Sequence, residues 1–294
     1  HNEKAGSEGW SKRDVTHLVR DAGFDPLYVP MKQAALEPEL LDRGEFVIVA
    51  GGDGSIRKAA MLLLGRHRML APLPLGTANN LARSLGIDDK PHHIAKGWHR
   101  GERKPFDVGQ IQGLWGKRYF IEGVGLGLIS RSIAVIEDID EIAAYELKKP
   151  KHKLHRDACV AAALAHEMQP LKAKLTLDRR NASDEFLLLE VLNINRAGPA
   201  VELAPRADPS DGRFDVVTAS AKQRDHLMHA LRARLRDGPR VRNLTTRRAR
   251  RVRVQLRTPC DFRVDDATLR VEADTKVEIS IHPGALEFLL PGEK

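Results

Sequence analysis

The sequence predicts two domains, an α/β unit with a parallel sheet and a mostly antiparallel, β-sandwich-like unit. Three observations lead there. Helix and strand signals alternate through roughly the first hundred residues, strand-like segments dominate after about Asp107, and the last apolar segment reads as a strand returning to the first unit. A chain of 294 residues is long enough to bury a core in each of two modest domains. The expected boundaries are 1–107 with 284–294 returning to it, and 108–283.

In order, residues 14–22 are periodic and helical and end at Gly23, and 26–29 read as a short strand. Phe46-Val47-Ile48-Val49-Ala50 is an apolar run ending in glycines, as a strand covered on both faces should be. A helix at 55–64, an extended apolar segment at 70–75 and a helix at 79–85 stopped by Gly86 follow. This βαβα rhythm predicts a parallel sheet with helices on its faces. Beyond it, strands are expected at 118–122, 172–178, 185–193, 213–219, 252–257 and 276–280. Helices near 128–146, 156–168 and 222–236 interrupt them, and 285–290 is the returning strand.

Composition excludes several classes. With 42% hydrophobic and 30% charged residues the chain is not disordered. No apolar run nears the roughly 18 residues of a membrane span, and no signal peptide is read. The first residues look like the loop after a strand, so the natural chain is expected to start earlier. Two cysteines, Cys159 and Cys260, lie far apart without CxxC spacing, which fits a reducing cytoplasm and supports neither a disulfide framework nor a zinc site. His92, His93 and His166 show no metal spacing. The net charge of +8 is clustered at 148–153 and 247–253. Such blocks are solvated faces or contacts to an anionic membrane surface; aromatics are sparse around them, which argues against nucleic acid.

Two motifs carry the chemistry. Gly51-Gly52-Asp53-Gly54-Ser55 follows an apolar strand and opens a helix. Glycines let the backbone turn sharply and approach a bulky anion, and the helix N-terminus offers N–H groups and a favourable dipole. Ser55 can cap the helix or donate to a phosphate. No GK[ST] follows, and the pattern is not GxGxxG. The second motif, Gly76-Thr77-Ala78-Asn79-Asn80-Leu81-Ala82-Arg83, also lies between strand and helix and offers Thr77 and an Asn pair to phosphate or ribose oxygens.

With both motifs and one helix plus one strand between them, the chain resembles the diacylglycerol kinase catalytic-domain family, whose bacterial members phosphorylate lipids. That family's GGDG[ST] and GTxN[DN]xAR patterns match 51–55 and 76–83, and its N-P-x-[SA]-G loop corresponds to 2–6 with Glu3 in place of proline. The resemblance implies an ATP site in a cleft between two domains, lined by Asn2, Gly51, Gly52, Asp53, Gly54, Ser55, Gly76, Thr77 and Asn79, with Asp53 helping to hold catalytic Mg²⁺. The segment 203–215 resembles the family's aP-x-A…DG segment. There the likeness implies a structural magnesium on Asp208, Asp211 and the Arg213 carbonyl; by itself the segment also reads as a polar turn. Val264-Asp265-Asp266-Ala267 stands where the family has V-D-G-E, so Asp265 inherits the role of general base. Asp266 replaces the glycine and Ala267 the glutamate, and Asp266 is a candidate stand-in for the lost carboxylate.

The expected activity is therefore ATP- and Mg²⁺-dependent transfer to a lipid hydroxyl, by a cytoplasmic protein bound peripherally to an anionic membrane, without nucleic acid, and with a homodimer allowed. An apolar slot for the lipid is expected in the β unit, with 124–129 as a wall or as a glycine-softened core strand. A kinase of a soluble acceptor, similar to NAD kinases or phosphofructokinases, and a non-catalytic nucleotide- and lipid-binding relative are the alternatives.

Overall fold

The computed structural model describes residues 1–3, 9–142, 150–198, 200–233 and 239–292. The chain divides into two compact units, His1–Asp107 with Pro283–Lys294, and Val108–His282.

The first unit runs α1 (Lys12–Asp21), α2 (Met31–Leu36), β1 (Phe46–Gly51), α3 (Asp53–Leu63), β2 (Met69–Pro74), α4 (Asn80–Ser84) and α5 (Pro91–Gly97). Ser11 and Asp14 close a capping box at the start of α1. β1 pairs parallel with β2 over its full length, and Glu287 and Phe288 of the C-terminal strand pair parallel with Met69 and Leu70 on the other edge of β2. Ala71 and Leu73 of β2, Ile94 and Trp98 gather in one apolar core with Val15 and Leu289. Among the described residues, 26–29 pair in no ladder, contrary to expectation: His1 N donates to Val29 O (3.2 Å), and Met31 N donates to His1 O (3.0 Å). An apolar, Pro-led segment becomes a strand only where it finds an edge to pair with.

The second unit begins within β3 (Glu102–Gly113), which turns back as the hairpin strand β4 (Gly116–Phe120). β5 (Gly123–Gly127), α6 (Leu128–Ile142), α7 (Pro150–Glu167), β6 (Leu171–Leu177), β7 (Arg180–Asn181), β8 (Asp184–Phe186) and β9 (Leu188–Leu192) follow. Then come β10 (Arg196–Ala197), β11 (Val201–Glu202), β12 (Phe214–Ala219), α8 (Arg224–Arg232), β13 (Thr245–Ala249), β14 (Arg251–Leu256), β15 (Cys260–Val264), β16 (Ala267–Val271) and β17 (Lys276–Leu290). Six of these strands form an antiparallel sheet in the order β13-β12-β9-β5-β15-β16. β14 pairs antiparallel with β6 on one side and with residues 276–280 of β17 on the other.

Burial separates the two strand groups. β5, β9 and β12 are buried at every position, whereas β14 alternates exposed and buried. The six-stranded sheet is thus covered twice. Val124, Leu126, Leu189 and Val191 meet Leu175, Val254 and Ile279 of the other strands in one core. Leu188, Leu192 and Val217 face Ala161, Ala165 and Leu227 of the helices in a second core. Residues 124–129 are therefore a core strand and the start of α6, not an open slot wall. The strand expected at 185–193 breaks at Leu187, whose backbone bonds to Ala219 and Leu128 instead of continuing one ladder. The parts of the expected helices at 143–146 and 234–236 lie outside the described residues.

Candidate active site

The two glycine motifs meet. Leu75 N donates to Gly51 O (2.9 Å), which brings the end of β2 against the end of β1. A Cβ on Gly76 would lie 2.5 Å from the Cα of Gly52, and one on Gly52 would lie 3.1 Å from the Cα of Gly76. Only glycine at both positions lets the backbones touch. Asp53, at the first turn of α3, clasps the junction: its carboxylate accepts from Asn80 N (2.9 Å) and Leu81 N (3.0 Å) at the start of α4. Asn79 sits at φ 49° as the N-cap of α4, with its amide bonded to Gly76 N (3.0 Å) and Gly76 O (2.9 Å). Asn2 Nδ2 donates to Ser55 Oγ (3.1 Å), which is buried under Gly51. Thr77 is half-buried in the same turn. The sequence-predicted residues Asn2, Gly51–Ser55 and Gly76–Asn79 are thus one cluster; residues 4–6 of the early loop lie outside the described residues.

The chemistry of this cluster fits phosphate. A Cβ at Gly51 would meet the Ser55 side chain (2.5 Å), and one at Gly52 or Gly76 the backbone of the other, so the glycines let the two turns pack beside the N-terminus of α3, where the dipole favours an anion. A separate cavity of about 580 Å³, lined by Val15, Phe24, Leu27, Tyr28, Val47 and Val49, is touched by none of the motif residues.

In the second unit, Asp265 lies in the two-residue turn between β15 and β16 at φ 54°, a left-handed conformation that Asp tolerates better than most residues. It is 3% exposed. Its carboxylate accepts from the backbone of Ile121 (3.1 Å), Glu122 (2.8 Å) and Gly123 (3.1 Å), and its own N–H donates to Gly123 O (2.9 Å). Burial pushes this carboxyl above its usual range, against the three N–H bonds and the nearby Arg263 guanidinium. Asp266 beside it is exposed.

The loop expected to hold a structural magnesium is bridged by its own residues and by Arg248. Ser210 N and Oγ donate to Asp208 Oδ1 (3.0 and 2.6 Å), Arg213 N donates to Asp211 Oδ1 (2.9 Å), and the Arg248 guanidinium bonds to Asp211 Oδ2. Each oxygen of Asp211 accepts one hydrogen bond. Asp208, Asp211 and the Arg213 carbonyl thus share one short loop, with Asp211 also paired to Arg248. The same arginine lies in register with Asp215, whose carboxyl is pushed up to about 6 by burial, with Arg248 opposing and Asp211 adding to the shift. The folded state therefore holds a proton that the unfolded chain has lost above about pH 4, so stability falls as pH rises from about 4 to 6. Asp215→Asn is expected to raise the melting temperature at pH 8, by up to ~3 kcal/mol of stability, and to leave it unchanged at pH 4; melts at the two pH values check this.

The basic block at 247–253 is partly neutralised. Besides the Arg248 pair, Arg251 and Arg253 both reach Glu278 (3.2 and 3.4 Å). Of the other block, 148 and 149 lie outside the described residues and Lys153 pairs with Asp140 (3.3 Å).

Sequence reading missed a buried ion pair. Arg263 and Glu190 are both 0% exposed and meet at 2.6 Å. A cross-strand row explains it: Glu190 of β9 and Arg263 of β15 both stand opposite Gly125 of the intervening β5. A Cβ on Gly125 would lie 2.0 Å from the Glu190 carboxylate, so the glycine opens the path between them. Burial pushes the Glu190 carboxyl up, and the guanidinium opposes it. The available signal was one charge of each sign inside two apolar runs, Leu187-Leu188-Leu189-Glu190-Val191 and Phe262-Arg263-Val264.

Comparison with known proteins agrees with both halves. Residues 2–111 match the family described as "Diacylglycerol kinase catalytic domain", and residues 138–290 match "YegS C-terminal NAD kinase beta sandwich-like domain". A "Probable lipid kinase YegS-like" of Pseudomonas aeruginosa is 29% identical over 99% of this chain and 92% of its own length. A "Diacylglycerol kinase" of Bacillus subtilis is 28% identical over 73% of this chain and 64% of its own length. The crystal structure of a diacylglycerol kinase from Bacillus anthracis shares the fold, with a TM-score of 0.69 at 18% identity over 98% of this chain and 94% of that one. The chain belongs to the diacylglycerol kinase catalytic domain family, with a YegS-like C-terminal domain.

Proposed function

We propose that this protein transfers the γ-phosphate of ATP to the hydroxyl of a lipid such as diacylglycerol, a sphingoid base or ceramide. The observation that carries the reading is the backbone contact of Gly52 with Gly76 beside the N-terminus of α3, clasped by Asp53. The glycines let two turns close on each other at a helix N-terminus, where backbone N–H groups and the dipole favour a polyphosphate. Phosphoryl transfer asks a protein mainly for position and charge neutralisation. The loop Gly51–Ser55 holds the phosphates, Thr77 and Asn2 orient the nucleotide, and Asp53 acts by fixing the second glycine turn. Magnesium arriving with ATP supplies neutralisation of phosphate charge.

In the reaction the acceptor oxygen bonds to the γ-phosphorus, the bond from that phosphorus to the bridging oxygen breaks, and ADP leaves. The hydroxyl proton passes to a carboxylate. Asp265 is assigned that role, trading one of its three N–H bonds for the hydroxyl; its exposed neighbour Asp266 is the second candidate. The protein works at an anionic membrane surface through its basic faces; among the described residues no helix is long and apolar enough to cross a membrane. An exposed Arg247 and the residual charge around it serve the headgroups.

The test is transfer of labelled γ-phosphate from Mg-ATP into a total lipid extract. A labelled lipid is expected, and its mobility narrows the acceptor. Asp265→Asn, checked for an unchanged melt, is expected to lose about 10²–10⁴ in kcat with KM for ATP unchanged; loss in Asp266→Asn alone moves the role to Asp266. Label appearing only in soluble acceptors sinks the lipid reading, and ATP binding without turnover identifies a non-catalytic relative. Equal rates on anionic and neutral vesicles count against the membrane surface.

A further inference from the structure

We infer that Glu190 and Arg263, meeting over Gly125, are a positioning pair that holds the Asp265–Asp266 turn in its working conformation; the inference rests on the reading that this turn takes the acceptor's proton. Each end of the pair has a defined task. Arg263 Nη2 bonds to Glu190 Oε2 (2.6 Å), and Nη1 donates to the carbonyl oxygen of Asp265 itself (2.8 Å). One planar guanidinium thus ties the sheet interior to the backbone of the turn, a geometry that a lysine cannot reproduce.

The strand spacing explains why a charge pair is needed to span this distance. β9 and β15 are separated by β5, so their facing side chains start about 10 Å apart. A long arginine and a glutamate bridge that gap only because Gly125 puts nothing between them. Gly123, next on the same face, leaves the guanidinium room as well, since a Cβ there would lie 3.2 Å from Arg263 Nη2. The backbone of Arg263 is fixed too: its N–H donates to Ser130 Oγ (3.0 Å), and that hydroxyl donates to Gly125 O (2.8 Å).

The row is costly for a purely structural device. Arg263 Nε and Glu190 Oε1 are buried without a hydrogen-bond partner among the described residues. On the Glu190 side, Leu188 and Leu192 share its face of β9. An apolar pair would fill this position with no unpaired atoms, yet it would leave the Asp265 carbonyl without its donor. Holding Asp265 at φ 54° with three N–H groups on its carboxylate is what the charged pair adds. Arg263 also faces the charges of Glu122 and Asp265, so the guanidinium sets the field at the turn.

The experiment compares wild type with Glu190→Met/Arg263→Met. Hydrogen exchange of the amides at 121–123 is read at equal melting temperature, together with kcat and KM for Mg-ATP on the labelled lipid extract. The expected result is a melt close to wild type, exchange at 121–123 faster by at least tenfold, and kcat down at least tenfold with KM for ATP within twofold. Retained protection at 121–123 overturns the inference, whatever the activity. Arg263→Lys covers the case in which the double variant fails to fold. It keeps the charge but not the fork, and is expected to lose protection at the same amides; retained protection again overturns the pair's role. Wild-type kcat in both Asp265→Asn and Asp266→Asn sinks the proton-acceptor reading instead. Loss in those variants with intact protection and kcat in Glu190→Met/Arg263→Met sinks only the positioning pair.

Discussion

Glu190→Gln is expected to lower the melting temperature by roughly 10 °C, through about 3–5 kcal/mol of lost stability. The substitution keeps size and shape, so no cavity enters the account. What changes is that a guanidinium with no exposed surface loses the charge that balanced it. Removing one partner of a buried pair costs far more than the pair contributes, because the remaining ion stays in a low-dielectric interior. Adding Arg263→Met to the single change should therefore recover most of the loss. A double variant no more stable than Glu190→Gln would mean that packing, not uncompensated charge, sets the cost. Raised salt should not rescue the single variant, since screening does not reach a pair closed off from solvent. Exposed pairs give the contrast. Lys172–Glu185, with side chains 74% and 52% exposed, should contribute no more than about 1 kcal/mol.

Much of this was legible from residue order, and the physical reason is locality. The apolar run at 46–50 leading into Gly51–Ser55 announced a strand, a turn and a helix because each is specified by neighbouring residues, and β1 and α3 form there. Alternation in Val252-Arg253-Val254-Gln255-Leu256 likewise marks a strand with one buried face, as β14 has. Partnership across the fold was not legible. That Gly52 and Gly76 must both lack a Cβ follows from a contact between loops 24 positions apart, and each glycine alone reads as ordinary turn chemistry. Asp53 reads as a site residue in the sequence, yet no local pattern places its carboxylate on the N–H groups of Asn80 and Leu81. Asp211 reads the same way and meets Arg248, a residue far along the chain whose guanidinium no local pattern places. The row Glu190–Gly125–Arg263 is the extreme case: three segments must be aligned in register before two lone charges and a glycine become one object.

Gly76→Ala is expected to weaken ATP binding at least a hundredfold, about 2.7 kcal/mol, while leaving the second unit untouched. Gly76 is not in the left-handed region, so alanine meets no backbone objection of its own. The objection is the neighbour: its Cβ would stand 2.5 Å from the Gly52 Cα, 3.3 Å from the Gly52 nitrogen and 2.8 Å from Asn79 Oδ1. A flexible side chain could swing aside, but the main chain of Gly52 is held by Ser55 N and Ile56 N at the first turn of α3 (2.9 and 3.1 Å). The two loops must part, and with them the N–H groups proposed to hold the phosphates. Gly86→Ala separates this effect from general glycine loss. Gly86 sits at φ 76° with open space around its would-be Cβ, so that change costs backbone strain of about 1–2 kcal/mol and no contact. It should lower the melting temperature and leave the ATP affinity at the wild-type value. Calorimetric titration of ATP into the two variants distinguishes the cases: if Gly76→Ala binds as wild type does, the junction of the two motifs is a turn and nothing more.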